Sequence, residues 1–338
     1  MNRAVRVAAL LAALVLLALS FVNASWLAGA PPGRVKLVAL GGAHPIATGP
    51  GPCPAIEPPL HDYLANTKGG AVIAGRLGAQ MVSLDLAVTR DGHLVLFGGA
   101  DLACRTNGHG AVGERTLAEI QTLDAGYGYS ADGGRTFPFR GGATGAIPRL
   151  EEVLALLPDK PLLFDLPADP RAGPQLVATL RALGRDPVAT GDGFRGLAAD
   201  LAPVRAAFPR AWLWDRTRAT ACTAAYRWQG WLGLTPEACA GQTLVVPTDA
   251  AWSFAGWPNR TQTRMAAVGA RVVMTGPGGS GLALPEQLGS IPASFTGHVM
   301  VEDIWTVGPA LRPAFNRRTP REEQELARVL ETRRQKRP

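Results

Sequence analysis

The chain has 338 residues, 47% hydrophobic and 18% charged, which is enough for one large barrel or two ordinary domains and too apolar for disorder to be the default. Its net charge of +7 sits at the ends: Arg3 and Arg6 open the chain, and from Arg312 onward nine basic residues face four acidic ones. Residues 7–311 carry 23 charges of each sign, so the basic balance gives no reason to expect a nucleic-acid partner.

In chain order, residues 1–30 read as a targeting segment. Arg3 and Arg6 form a basic start, and Val7–Val22 is almost continuous Ala, Leu and Val. Ala28-Gly29-Ala30 suits signal cleavage before Pro31. Val7–Leu27, at 21 residues, is also long enough to cross a bilayer core and exceeds the usual apolar region of a signal peptide, which favours an uncleaved anchor. Arg3 and Arg6 would then stay inside and the rest would be exported to the periplasmic face of the inner membrane, with residues 7–27 as the anchor.

After the linker Pro31–Arg34, Val35–Leu40 reads as a buried strand and Gly41–Pro59 as a loop. Asn66–Ala79 has helical character weakened by Gly69, Gly70 and Gly75. Val82–Val88 is a strand, Asp91-Gly92 a turn and Leu94–Phe97 a second strand. Thr116-Leu-Ala-Glu119 has capping-box spacing, Gly126–Gly145 is a long loop, and Leu150–Leu157 is a helix. Further strands are expected at Pro161–Leu166, Ala211–Trp214, Thr243–Pro247 and Arg271–Thr275, with helices at Pro174–Leu183, Leu197–Phe208 and Gln262–Val268. This alternation predicts a (β/α)8 barrel over residues 31–311. A doubly wound sheet is the alternative, but no GxGxxG follows an early strand. In the tail, 312–338, Thr319, Pro320 and Glu322 open a helix. The weak stripe Leu326, Val329, Leu330 predicts a solvated, frayed helix that ends in disorder at residues 332–338, or one that touches an anionic membrane surface.

Four cysteines, Cys53, Cys104, Cys222 and Cys239, allow three pairings, and an even number in an exported chain favours disulfides. Proximity along the chain pairs Cys222 with Cys239 and leaves Cys53 with Cys104. Each bridge would contribute roughly 3–4 kcal/mol. The spacings do not suit a zinc site.

The run Asn66-Thr67, fifteen residues, then Ser83-Leu84-Asp85-Leu86-Ala87-Val88-Thr89-Arg90-Asp91-Gly92-His93-Leu94-Val95-Leu96-Phe97 resembles the helix–strand–turn–strand signature of the glycerophosphodiester phosphodiesterase family, which reads E-N-T, E-L-D, T-x-D-G and V-x-F-H-D. Arg105-Thr106-Asn107-Gly108, Leu123-Asp124-Ala125-Gly126 and Ile147-Pro148-Arg149-Leu150-Glu151-Glu152-Val153 are similar to further family segments. So, more loosely, are Gly256-Trp257-Pro258-Asn259 and Gly269–Pro277. The Gly126–Arg140 loop and the cysteine placement are similar to those of exported bacterial members.

The resemblance covers roughly residues 35–311. It implies a TIM barrel of the PLC-like phosphodiesterase type behind the N-terminal hydrophobic helix, with the site at the C-terminal ends of the strands. The implied reaction is hydrolysis of glycerophosphodiesters to an alcohol and glycerol 3-phosphate. That chemistry uses a carboxylate-bound divalent cation (Ca2+ or Mg2+), two histidines for proton transfer and a basic residue for the anionic charge.

Carried over residue by residue, most of that chemistry is missing. The first-strand H-R-G is Leu40-Gly41-Gly42, the acid before Asn66 is Ala65, the E-L-D pair is Ser83-Leu84-Asp85, and the H-D after Phe97 is Gly98-Gly99. The later E-x-K falls near Phe164-Asp165-Leu166, and the last-strand T-D is Thr275-Gly276. Asp85 and Asp165 remain as metal candidates, His44 as the catalytic candidate, and Asn66, Trp257 and Asn259 as ligand-binding candidates. Ser83 lacks a G-x-S-x-G context, so a serine nucleophile is unsupported. The expectation is a degenerate phosphoric diester hydrolase, inactive or weakly active, that binds a glycerophosphodiester, polyol phosphate or lipid head group. An active phosphodiesterase with a rebuilt site and an envelope scaffold are the alternatives.

Overall fold

The computed structural model describes residues 3–49, 53–99, 101–316 and 318–336. The elements are α1 (Arg3–Asn23), β1 (Lys36–Leu40), β2 (Ala47–Thr48), β3 (Ala55–Ile56), α2 (Lys68–Arg76), β4 (Met81–Val88), β5 (Leu94–Leu96), α3 (Leu117–Gln121), α4 (Leu150–Leu156), β6 (Leu162–Asp165), α5 (Ala172–Ala182), α6 (Pro187–Thr190) and β7 (Gly193–Gly196). They continue as α7 (Ala198–Ala207), β8 (Trp212–Asp215), α8 (Arg216–Gln229), β9 (Thr243–Pro247), α9 (Asn259–Ala267), β10 (Arg271–Thr275), β11 (His298–Val301), α10 (Ile304–Leu311) and α11 (Pro320–Lys336). Eight strands are hydrogen-bonded in the order β8-β7-β6-β4-β1-β11-β10-β9, with β5 antiparallel on β4. This is the strand succession of a (β/α)8, or TIM, barrel, and α1 precedes it.

The chain divides into two compact units. The larger comprises Leu37–Trp214, Gly281–Leu288 and Met300–Pro338; the smaller comprises Met1–Lys36, Asp215–Ser280 and Gly289–Val299. In the larger unit β4 is buried along nearly its whole length, as expected of a parallel strand covered on both faces. Its register aligns Asp85 with Asp165 of β6, and Asp165 with Arg195 of β7. Thr67 caps α2 by accepting the N–H of Gly70 at 3.1 Å, and Thr116 and Glu119 close the expected capping box on α3.

The loop Gly126–Gly145 is tied down. The Asp124 carboxylate accepts the N–H groups of Gly126, Gly141 and Ala143, while Asn107 accepts the N–H of Asp124 at 2.9 Å. Around it Val95, Phe97, Leu102, Ile120, Tyr129 and Phe139 form a subsidiary core. The Cys53–Cys104 disulfide lies in this unit and Cys222–Cys239 in the smaller one, so both expected pairings are present.

Two expectations change. The apolar stretch Val7–Leu27 is not one helix: α1 begins at Arg3 and stops at Asn23, and Ser25–Leu27 forms a separate 3-10 turn. Polar groups break it, because Asn23 donates its amide to the Trp231 carbonyl at 2.8 Å and Ser25 accepts the N–H of Asn259 at 2.9 Å. Nor is the C-terminal helix frayed. Leu326 and Leu330 are buried on Leu284 and Leu60, and Arg333 is buried in ion pairs with Glu57 and Asp303. Of the stretch expected to be disordered, residues 332–336 are helical and residues 337–338 lie outside the described residues.

Candidate functional site

The C-terminal ends of β1, β4, β6, β7 and β11 bring together His44, Asp85, Asp165, Arg195 and Glu302, all within the larger unit. Asn66 joins them from the turn before α2. It holds a left-handed φ of 57°, a conformation that asparagine tolerates better than most residues. In that pose its side chain clasps Asp85 twice: Nδ2 donates to Asp85 Oδ2 at 2.8 Å, and Oδ1 accepts the Asp85 N–H at 2.9 Å.

Asp85 is half-buried. Desolvation is the largest influence on its carboxyl and raises its pKa, against the lowering pull of the Asn66 hydrogen bond. The Asp165 charge raises it further, while Arg195 and His44 lower it, and the net direction is upward. Gly98 explains how Asp85 fits. A Cβ at position 98 would lie 2.6 Å from Asp85 Oδ2 and 3.0 Å from Asn66 Nδ2. The carboxyl thus occupies space that any side chain at 98 would claim.

Asp165 meets a cation directly. Arg195 donates through Nε to Asp165 Oδ2 at 3.0 Å and through Nη2 to the same oxygen. The guanidinium also lies 5.4 Å from the ring centre of Trp214 on β8, within cation–π range. Ser83, two residues before Asp85, is 1% exposed, and its hydroxyl has no hydrogen-bond partner among the described residues.

His44 follows Gly41-Gly42. Gly42 has φ 84°, and a Cβ there would meet the Gly70 backbone of α2 at 2.6 Å, so no other residue type fits this turn. His44 Nδ1 lies 3.2 Å from the Gly42 carbonyl and Nε2 lies 3.3 Å from Glu302 Oε1. Both partners are acceptors, so the doubly protonated ring satisfies both. Burial alone would lower the His44 pKa, but the Glu302 hydrogen bond and charge, with help from Gly42 and Asp303, leave it raised.

The remaining candidates serve other contacts. Trp257 packs against Phe295 at 5.4 Å between ring centres. Asn259 donates its backbone N–H to Ser25 and its amide to the Ala28 carbonyl. Both belong to the smaller unit. His61 packs at a tilt against Trp305, 4.7 Å between ring centres, and its Nδ1 accepts the Tyr63 N–H, a bracing role.

Sequence reasoning missed Arg195, Glu302 and Trp214. Arg195 sits in the four-residue strand Gly193-Phe-Arg-Gly196, too short and too rich in glycine to stand out. A lone arginine between a phenylalanine and a glycine was the only available signal. Glu302 follows β11, a strand not expected from the sequence.

Residues 61–170 match the family model described as the glycerophosphoryl diester phosphodiesterase family. An uncharacterized protein of Mycobacterium tuberculosis is 36% identical over 110 residues, which is 32% of this chain and 36% of that protein. A glycerophosphodiester phosphodiesterase of Caldanaerobacter subterraneus subsp. tengcongensis is 39% identical over 101 residues, 30% of this chain and 38% of that protein. The chain therefore spans just over a third of the length of the curated relatives it matches. Among solved structures, the glycerophosphoryl diester phosphodiesterase domain of the M. tuberculosis protein aligns with a TM-score of 0.58 at 16% identity, over 81% of this chain and 98% of that one. An Oleispira antarctica phosphodiesterase in complex with the product sn-glycerol-3-phosphate aligns with a TM-score of 0.56 at 17% identity, over 82% and 97%. At such identities the structural likeness speaks for the fold.

Proposed function

We propose, from the match of residues 61–170 to the model of the glycerophosphoryl diester phosphodiesterase family, that the chain is an exported barrel of that family, held at the outer face of the inner membrane by α1. It binds a glycerophosphodiester, a polyol phosphate or a lipid head group, and hydrolyses it weakly or not at all. The observation that carries this reading is the Arg195 guanidinium seated on Asp165 beside Asp85.

The donor set does not fit a hard divalent cation, which takes about six or more oxygen ligands and favours ionised carboxylates. Asp165 already faces a fixed positive charge, and Asp85 is biased toward its neutral form by burial. A cation would have to displace Arg195 and be held by an Asp85 carboxylate whose charged form burial disfavours, in the same small volume. The positions where the family places its first-strand histidine and arginine, and its second histidine, hold Leu40, Gly41 and Gly98. Clearing paired charges together is tolerated where losing one partner is costly. What remains suits recognition: Arg195 for an anionic oxygen, and Asp85, Asn66 and Ser83 for hydroxyls.

Export and anchoring draw support from the two disulfides and from α1, a 21-residue apolar helix with no buried residue. One observation favours the second reading, an active enzyme with a rebuilt site. His44 is held by a carboxylate and biased toward its protonated form, as a general acid would be.

Titration calorimetry with sn-glycerol 3-phosphate, with and without a chelator, tests the proposal. Binding that the chelator leaves unchanged, and that Asp85→Ala weakens about tenfold through one lost hydrogen bond, is expected. Binding seen only with added Ca2+ or Mg2+ would overturn it.

A further inference from the structure

We propose that the smaller unit rests on the lipid surface through a tryptophan-rich face built around the exit of α1; this extends the anchor reading above and rests on it. The exit is fixed by hydrogen bonds. Arg264 on α9 donates to Asn23 Oδ1 at 2.9 Å, to the Val22 carbonyl at 3.0 Å and to the Gly230 carbonyl at 3.2 Å. Asn23 donates to the Trp231 carbonyl, and Asn259 holds Ser25 and Ala28. Gly233 lies so close to Val22 that a Cβ there would come within 2.6 Å of the Val22 side chain. The guanidinium lies where α1 leaves its last carbonyls unpaired, so it caps the helix as well as docking it.

Around that exit several large apolar side chains are exposed. Trp26, in the turn directly after α1, is 77% exposed; Trp228 is 64% exposed and Trp252 78%. Trp231, Leu232 and Leu234 are also exposed. Trp231 ties the group together, because its carbonyl receives Asn23 and its Nε1 donates to the Ser253 carbonyl beside Trp252. Four of the chain's eight tryptophans are thus open to solvent near one helix end, although indole is a side chain that folded proteins mostly cover.

The occupant follows from α1. Its 21 residues span roughly 31 Å at 1.5 Å per residue, the thickness of a bilayer core, and none is buried against protein. If α1 crosses the membrane, its polar end at Asn23 marks the boundary. The locked contacts then set the indoles at the head-group level, where tryptophan is preferred.

The test uses the full chain reconstituted into vesicles of phosphatidylcholine and phosphatidylglycerol containing a head-group spin-labelled lipid. Tryptophan emission should be quenched, and Trp252→Ser combined with Trp228→Ser should remove a large part of the quenched signal while the melting curve stays unchanged. Trp252→Ser alone, at the most exposed site, should lose part of it and serves if the double variant folds poorly. Equal quenching in wild type and variants would overturn the proposal, as would emission insensitive to the label, which would assign the face to a protein partner. The anchor reading fails separately: a mature protein beginning at Pro31, or extraction of the wild type by alkaline carbonate, refutes anchoring whatever the quenching shows.

Discussion

Replacing Arg333 with alanine should destabilise the chain far more than a surface arginine would. Its side chain is 5% exposed, and those of its partners Glu57 and Asp303 are 9% and 3% exposed. Removing the cation leaves two buried carboxylates facing each other. Breaking a buried pair from one side costs about 3–5 kcal/mol. The protein has one escape, which is to release α11 and let water reach both acids. That route gives up the burial of Leu326 and Leu330, roughly 1.5–3 kcal/mol each, so the two routes cost similar amounts. A loss of about 3 kcal/mol at pH 7 is therefore expected in urea unfolding. If α11 undocks first, the same energy appears as amide exchange about 100-fold faster over residues 326–333. Arg333→Met combined with Glu57→Gln and Asp303→Asn should recover most of the loss, because asparagine can still cap α10 by accepting the Thr306 N–H. A wild-type urea midpoint together with wild-type exchange in Arg333→Ala would refute the reasoning.

Arg195→Met should destabilise by about 2–3 kcal/mol, below the fully buried range because its side chain is 21% exposed; Arg195→Met with Asp165→Asn should lose far less, as a double-mutant cycle by chemical denaturation would report. Gly98→Ala should push Asp85 off Asn66 and lose about 1 kcal/mol, with the loss absent in the Asp85→Ala background. Acid should destabilise the chain through two histidines, the buried His298 and the half-buried His61. Desolvation lowers His298 to about 3, helped by Arg271 and Lys36, and lowers His61 to about 4. Both folded values lie below the unfolded value near 6.5, so the unfolded chain binds more protons and stability is lost as pH falls from about 6.5 toward the folded values. At pH 5 the loss should be on the order of 2 kcal/mol per histidine, less for the partly exposed His61; His298→Gln should flatten the urea-midpoint profile between pH 7 and 5.

The elements legible in the sequence were those specified locally. β4 and β5 are apolar runs joined by Asp91-Gly92, and α3 carries its own capping box in Thr116 and Glu119. The disulfides followed from an even count and from the short Cys222–Cys239 spacing, which left Cys53 for Cys104. The features that set the site's charge were not local. Arg195 lies on a glycine-flanked strand, and only the β6–β7 register places it on Asp165. The tail looked solvated because its apolar stripe is weak, and Arg333 meets Glu57 across 276 residues of chain. Asp85 could be singled out by motif, yet its clasp by Asn66 depends on a left-handed backbone that no spacing announces.

The most direct measurement is turnover of a glycerophosphodiester by the purified chain with Ca2+ or Mg2+, followed as release of glycerol 3-phosphate. A site in which Arg195 stands on Asp165, and in which Leu40, Gly41 and Gly98 stand where the family resemblance places proton-transfer and charge-stabilising groups, predicts release at or barely above the rate without protein. Metal-dependent release that disappears in Asp85→Ala would contradict it and establish a working catalytic centre around Asp85.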